Sequence, residues 1–460
     1  MNLEAVKYVY LLGAGGIGMS ALGRYFLRRG IPVKGYDRTS VPLTDALQAE
    51  GMDLTFEDRN DHIPASWILP ENRDALLVIY TPAIPQNHGQ KQYLAGLGIP
   101  LFKRAQVLGM ISAAHRTLAV AGTHGKTTTS TLVAHILQVA GKTPVAFLGG
   151  ISTNYNTNYL EGHKDAVMVV EADEYDRSFL QLHPDASVLT STDPDHLDIY
   201  GDSDSIRAGF AEFIARVEKP QMRVIRQGLE LPESITHGAT RYAIEGPADV
   251  YATDIRLEGD RYRFTLVLPE KRWADMELGL PGLHNLENAI GAAALCALNG
   301  ISENAIREAL QSFKGVKRRF EYILRTPECV FIDDYAHHPA ELKACIQSVK
   351  ALYPGKALTG IFQPHLYSRT RDFYDGFAES LSLLDRVILL DIYPARELPI
   401  TGVSSLELLQ RIRCTHKELV SKTDLPGRIA ELKPEVLLTL GAGDIDALVQ
   451  PIAHQLTRNT

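Results

Sequence analysis

The sequence predicts an α/β protein in three blocks with largely parallel sheets, on three observations. Short apolar runs alternate with helix-period segments along most of the chain. Two glycine-rich turns each stand between a strand-like run and a helix-like one. Acidic residues follow two of the apolar runs, where open parallel sheets bind their ligands. The 460 residues are 45% hydrophobic and 22% charged, which allows several cores and excludes a disordered, collagen-like or disulfide-scaffold protein.

The first block, residues 1–105, opens with a buried strand over 8–12, a helix over 17–29 and a strand over 32–36. A further apolar run at 75–80 leads into the turn-rich TPAIPQNHG. The second block, 106–314, has a strand over 118–121, then GTHGKTTT and an apolar helix to about residue 140. Runs at 167–170 and 187–190 read as two more buried strands. Segments 250–257 and 262–268 flank Glu258, Gly259 and Asp260 and read as an antiparallel hairpin. Helices are expected over 286–298 and 303–313. The basic stretch KGVKRRF marks a boundary, and strands over 330–332, 358–362, 386–390 and 436–440 alternate with helices in the third block, 315–460.

Lysine and arginine number 47 against 55 acids, a net charge of −8 that speaks against general nucleic-acid binding and leaves room for a local basic pocket. Cys296, Cys329, Cys345 and Cys414 are far apart with no Cys-x-x-Cys pair, so reduced structural thiols are expected. The start of the chain lacks a signal-peptide pattern, and no run approaches the ~20 apolar residues of a membrane helix. The expectation is a cytoplasmic protein without a membrane partner. No signal for an oligomeric state is present.

Gly13, Ala14, Gly15, Gly16, Ile17 and Gly18 complete a G-x-G-x-x-G pattern, with Asp37 near the spacing that meets a ribose hydroxyl. Glycines let backbone amides approach a pyrophosphate, and the helix N-terminus favours its charge. NAD, FAD and a UDP-sugar all satisfy the pattern; a tight turn without ligand is the competing reading. The second loop, Gly122, Thr123, His124, Gly125, Lys126, Thr127 and Thr128, shares the Gly-Lys-Thr core of a nucleotide P-loop. Its amides would surround phosphates, with Lys126 toward the outer ones and the Thr127 hydroxyl on Mg²⁺. Spacing is not standard, because Val120 stands where the usual pattern has glycine. Two such loops imply two phosphorylated ligands, and a dehydrogenase needs only one.

The run at 167–170 ends in Glu171, Ala172, Asp173 and Glu174, and that at 187–190 leads to Asp193, Asp195, His196 and Asp198. Hard oxygens from Thr127 and Glu171 suit Mg²⁺; a lone histidine such as His196 is more often structural.

Taken together, GAGGIGMS, AGTHGKTTT, EADEYDRSFL, DPDHLDIYG, PGLHNLENA, KRRFE, DDYAHHPAE, QPHLYSRTRD and GAGD, in this order over essentially the whole chain, resemble the Mur ligase family. The resemblance implies three domains: an N-terminal Rossmann-like domain for a UDP-sugar, a central P-loop ATPase-like domain carrying the added hairpin, and a C-terminal Rossmann-like domain that closes over ATP. It places the UDP pyrophosphate on the first loop, with Asp37, Thr81, Pro82 and Ala83 near the uridine part. Lys126 and its loop serve ATP, while Thr127, Glu171 and His196 serve Mg²⁺ (or Mn²⁺). His284, Asn285 and Asn288 lie near adenine; Arg319 and Asp334 also reach ATP. Tyr335, His337, His365 and Arg369 face the amino acid. Lys126, His196, His337 and Arg369 are the implied catalytic groups.

By spacing alone Asn288 is equally a polar helix position, Arg318 and Arg319 a solvated turn, His337 and His338 helix N-terminal groups, and residues 441–444 a tight turn. Family members that add later amino acids carry a carbamylated lysine after the DH motif; this chain has no lysine between Leu197 and Glu218. That resembles the branch adding L-alanine to UDP-N-acetylmuramate, although many of its members have a basic residue where this chain has Leu366. Three other readings remain: a ligase that recycles a whole tripeptide, an NAD-dependent oxidoreductase, and a non-catalytic nucleotide-binding regulator.

Overall fold

Along the first strand, Tyr8–Leu12 (β1), Val9 and Leu11 enter one apolar core while Tyr10 and Leu12 enter another. The period of two buries both faces, which parallel sheets require. The computed structural model describes every residue except Lys164, His196, Arg396, Asn459 and Thr460, and it leaves the side chains of Leu197, Asp198 and Arg458 undescribed.

β1 is joined by Val33–Tyr36 (β2), Asp53–Thr55 (β3), Leu76–Tyr80 (β4) and Leu101–Lys103 (β5) in the order β3-β2-β1-β4-β5, all parallel. The order reverses between β1 and β4, so the crevice beyond their carboxyl ends receives the first glycine loop and the Thr81 turn.

The second sheet contains Thr117–Ala121 (β6), Val145–Ser152 (β7), Thr157–Leu160 (β8), Met168–Ala172 (β9), Ala186–Leu189 (β10), Arg223–Arg226 (β11) and Thr240–Tyr242 (β12). Its order is β12-β11-β10-β6-β9-β7-β8, and β8 runs antiparallel to β7. β6 lies between β9 and β10: Val120 is level with Glu171, and Ala121 with Leu189. The loops after β6, β9 and β10 therefore emerge side by side. Three further strands, Tyr251–Glu258 (β13), Arg261–Leu268 (β14) and Lys271–Leu278 (β15), form a small sheet in that order. The expected hairpin has thus gained a strand, hidden in the sequence because Lys271, Arg272, Ala274 and Asp275 are exposed without simple alternation.

The chain divides into two compact units: Met1–Ile255 with Phe264–Glu277 and Asn288–Phe313, and Arg256–Arg263 with Leu278–Glu287 and Lys314–Thr460. Within the first, the two large sheets share one core, where Val9 and Leu11 belong with Ala119, Phe147 and Val170. A buried network ties them as well: Asn158 on β8 donates to the Ile17 carbonyl (2.5 Å) and Ser20 Oγ (2.9 Å) and accepts from Arg24, which pairs with Glu50.

In the second unit, Glu321–Arg325 (β16), Val330–Asp334 (β17), Leu358–Phe362 (β18), Arg386–Leu389 (β19), His416–Leu419 (β20) and Val436–Leu440 (β21) form a sheet in the order β16-β17-β21-β18-β19-β20. β16 is antiparallel and the rest parallel. Val330 and Ile332 face one core, Phe331 the other. The carboxyl ends of β17, β21 and β18 lie together, bringing DDYAHHPAE, GAGD and QPHLYSRTRD to one edge. Helix Leu283–Leu298 begins three residues before the expected start, and the cysteines are free thiols.

Candidate active site

In the first loop Gly13 has φ +91°, and a Cβ there would strike Thr81 Cγ2, so the turn at Thr81, Pro82 and Ala83 packs directly on the loop. Thr81 N–H also donates to the Leu12 carbonyl at 3.2 Å. Asp37, expected to meet a ribose, accepts from Gly15 N–H at 2.6 Å and Arg38 N–H at 2.7 Å. It therefore holds the loop's shape in addition to any ligand. Gly16 caps helix Ile17–Arg28 without a side chain, leaving its first amides open. A Cβ on Gly18 would lie 2.5 Å from Arg104 Nη1, so a guanidinium borders the loop.

The second loop leaves β6 through Gly122 (φ +133°) and enters helix Lys126–Val139 at Gly125 (φ +80°). Thr123 Oγ1 donates to the Asp193 carbonyl (2.7 Å), His124 N–H to Ser191 Oγ (2.8 Å), and Thr190 Oγ1 to the His124 carbonyl. The acid-rich segment after β10 thus braces the loop. A Cβ on Gly125 would strike Asn288 Oδ1, which puts Asn288 at the loop.

Lys126 Nζ donates to the carbonyls of Gly122 (2.6 Å) and Thr123 (3.1 Å) and to Glu174 Oε1 (2.9 Å). Burial opposes its charge, but Glu174, Glu171 and Asp173 outweigh burial and raise its pKa above the ordinary value. Burial pushes Glu174 up to about 7 against the pull of Lys126. Thr127 is buried at the start of the same helix, and the Glu171 carboxylate at the end of β9 occupies space that exists because residue 149 is glycine. A hydroxyl and a carboxylate of this kind suit Mg²⁺. Among the described residues no three His, Cys, Asp or Glu side chains cluster as a metal site. His196 lies outside the described residues.

The second unit gathers most of its predicted residues. Tyr335 and His337 rings are 5.3 Å apart, His337 and His365 are 6.4 Å apart, and Arg369 Nη1 is 3.4 Å from His365 Nδ1. Arg319 lies 4.9 Å over the Tyr335 ring. Asp334 is fixed by N–H groups of Phe320 (2.7 Å) and Ala336 (2.8 Å); burial raises its pKa to about 6 despite Arg319 and those amides. His338 caps helix Pro339–Leu352, while the His337 ring lies against those of Tyr335 and His365. His284 is partly buried beside Phe320, with Ser348 Oγ 3.4 Å from its Nδ1, and loss of solvation lowers its pKa to about 4. Asn285 donates to the Pro281 carbonyl at 2.6 Å.

Several residues of these sites were not singled out by sequence: Glu174 and Arg104 in the first unit, Glu341, Gln363 and Tyr393 in the second. Glu341 accepts from His337 N–H at 3.0 Å. Gln363, fully buried, bonds Asp444 (2.8 Å) and Ile445 N–H (2.9 Å), stitching the ends of β18 and β21. Tyr393 stacks on His365 at 5.7 Å. Their places within EADEYDRSFL (Glu174), DDYAHHPAE (Glu341) and QPHLYSRTRD (Gln363) were the available signals. At Leu366, assigned no role, φ is +70°, just before helix Tyr367–Asp372.

Two phosphate-type loops on parallel sheets, one presenting a lysine beside strand-end acids, define a nucleotide-handling α/β enzyme. Family models match three consecutive stretches: the Mur ligase family catalytic domain over 8–116, the Mur ligase middle domain over 120–296, and the Mur ligase glutamate ligase domain over 318–443. A UDP-N-acetylmuramate–L-alanine ligase of Flavobacterium johnsoniae is 46% identical over 459 residues, covering 100% of both chains. One of Porphyromonas gingivalis is 47% identical over 98% of this chain and 99% of its own. The crystal structure of the UDP-N-acetylmuramate-alanine ligase MurC of Thermotoga maritima superimposes with a TM-score of 0.82 at 26% identity, covering 98% of this chain and 100% of that one. The chain belongs to the Mur ligase family.

Proposed function

We propose that this chain is an ATP-dependent ligase that joins L-alanine to the carboxylate of UDP-N-acetylmuramate, releasing ADP and phosphate, in the synthesis of peptidoglycan precursors. The observation that carries this reading is the convergence of the Lys126 loop with the strand ends bearing Glu171 and Ser191, at the edge of one sheet. Full-length relatives bearing that activity support the choice of substrates.

A carboxylate is a poor electrophile toward an amine. Phosphorylation remedies this: a muramate carboxylate oxygen attacks the γ-phosphorus, ADP departs, and the acyl phosphate forms. The alanine amine then attacks the acyl carbon, an amide bond forms and phosphate leaves with the C–O bond electrons. The amine's proton passes to a nearby base or solvent. Anions meet in the first step, so cations dominate its catalysis. Lys126 is assigned to the outer phosphates of ATP; loop amides, Asn288, His284, Asn285, Arg319 and Asp334 bind and orient that nucleotide. The Gly13–Gly18 loop with Asp37 and Thr81–Ala83 binds the UDP-sugar. Tyr335, His337, His365 and Arg369 receive the amino acid, with Arg369 suited to its carboxylate. Thr127, Glu171 and His196 are assigned to Mg²⁺ or Mn²⁺, which when bound offsets phosphate charge. Domain limits of 1–105, 106–314 and 315–460 go with this division of tasks, in a cytoplasmic enzyme. Among the described residues no helix is long and apolar enough to cross a membrane.

The test is to supply UDP-N-acetylmuramate, ATP and Mg²⁺, add single amino acids or the stem tripeptide, and follow orthophosphate. Release that requires L-alanine supports the reading. Release only with the tripeptide, or none with any acceptor, contradicts it.

A further inference from the structure

An ammonium has three N–H bonds to donate. On Lys126 they go to the carbonyls of Gly122 and Thr123 and to Glu174 Oε1, with Glu174 Oε2 2.8 Å from the same nitrogen. Two of these partners are backbone of the loop itself and stay wherever the loop stays. The third is a carboxylate from a different strand end, and it takes the one N–H that the loop backbone does not.

We propose that Glu174 is a stand-in for phosphate, holding Lys126 in the nucleotide-free loop and giving it up when ATP binds. This rests on the ATP reading of the loop given above. Glu174 is 3% exposed, so solvent screens the pair only weakly. Its segment is pinned on both sides: Asp173 pairs with Arg104 at 3.2 Å and Asp176 with Lys103 at 2.8 Å. The Glu174 carbonyl accepts from Tyr200 Oη at 2.8 Å. The backbone that presents the carboxylate is thus fixed, and the exchange needs only side-chain movement.

The arrangement has a functional consequence. Without Glu174, Lys126 would be a largely buried cation with no hydrogen-bonded anion, left with only the longer-range charges of Glu171 and Asp173, which is costly. With it, the empty loop is stable, but ATP must compete with an internal anion and its apparent affinity falls accordingly. Glu174 is therefore a positioning residue acting through Lys126.

The test compares ATP binding to the full-length chain and to Glu174→Gln by calorimetry with Mg²⁺ present. The amide keeps the shape and an acceptor but removes the charge. ATP should bind about fivefold or more tightly to the variant, with a parallel fall in KM for ATP, while affinity for the UDP-sugar stays put. In a Lys126→Ala background the same change should bring no gain. Unchanged or weaker ATP binding in Glu174→Gln overturns the proposal, as does a gain that persists without Lys126. Should Glu174→Gln fail to fold, Glu174→Asp, whose carboxylate is drawn back from Lys126, is read against the same outcomes. Failure of the wild-type chain to bind ATP at all would instead defeat the reading of the loop.

Discussion

The two glycine loops of the first unit follow the same plan, strand then turn then helix, yet each is partnered by an acid in a different way. In the first loop Asp37 bonds a neutral backbone donor, Gly15 N–H, and fixes the path of the chain. In the second, Glu174 bonds the side-chain cation Lys126 and offsets charge. The first loop contains no lysine or arginine; Arg104 borders it from another element. On the proposed function, one loop would recognise its ligand mainly through a shaped set of amides, the other mainly through charge. Two ligands bearing similar phosphates can be separated in this way within one unit.

The largest expected effect comes from removing the charge of the second loop. Lys126→Ala should lower ATP-dependent turnover about 10²–10³-fold, ~3–4 kcal/mol of lost transition-state stabilisation, as measured by phosphate release.

Next come the two glycines. Gly125→Ala adds left-handed strain of about 1–2 kcal/mol and a collision with Asn288, so ATP affinity should fall about tenfold or more with UDP-sugar affinity preserved. Gly13→Ala, colliding with Thr81, should do the converse. Loss of both affinities in either variant would break the comparison.

Asp37→Asn removes the charge from the bonds to Gly15 N–H and Arg38 N–H and should reduce UDP-sugar affinity about fivefold, ~1 kcal/mol, without moving ATP binding.

A smaller effect concerns stability on the far side of the second loop's helix. Burial holds the His135 pKa at about 4, below the ordinary 6.5, with Tyr155 Oη at 2.6 Å and Ser312 Oγ at 3.0 Å from its ring nitrogens. The unfolded chain binds the proton more readily, so this contribution is fully present above pH 6.5 and is lost as pH falls toward 4. Unfolding free energies from urea titrations across that interval should decline by an amount on the order of 1–3 kcal/mol, less steeply in His135→Gln. His284 in the second unit is depressed to about 4 in the same way.

Strands with strong apolar runs were legible to within a residue: Tyr8–Leu12, Leu358–Phe362 and Val436–Leu440 coincide with their expected limits. Asp53–Thr55, Leu101–Lys103 and His416–Leu419 were not, because edge strands of three or four residues bury too little to impose a period. At the site, motifs located the loops, and the cluster of Tyr335, His337, His365 and Arg369 followed from them. Glu174 escaped because an acid run after a strand reads as a metal ligand set, and only the fold reveals which acid meets Lys126. Arg104 was equally hidden, since its nearness to Gly18 depends on β4 and β5 lying beside β1 in the first sheet. Gln363 is a long-range stitch between β18 and β21, and nothing local encodes its partner.

The most direct measurement is a pair of titrations on Lys126→Ala, one with UDP-N-acetylmuramate and one with ATP and Mg²⁺. Retained muramyl-nucleotide affinity, within about twofold, beside ATP affinity reduced by tenfold or more is the predicted result. An equal loss of both, or ATP binding that persists unaltered, would contradict the assignment of the two loops to two ligands.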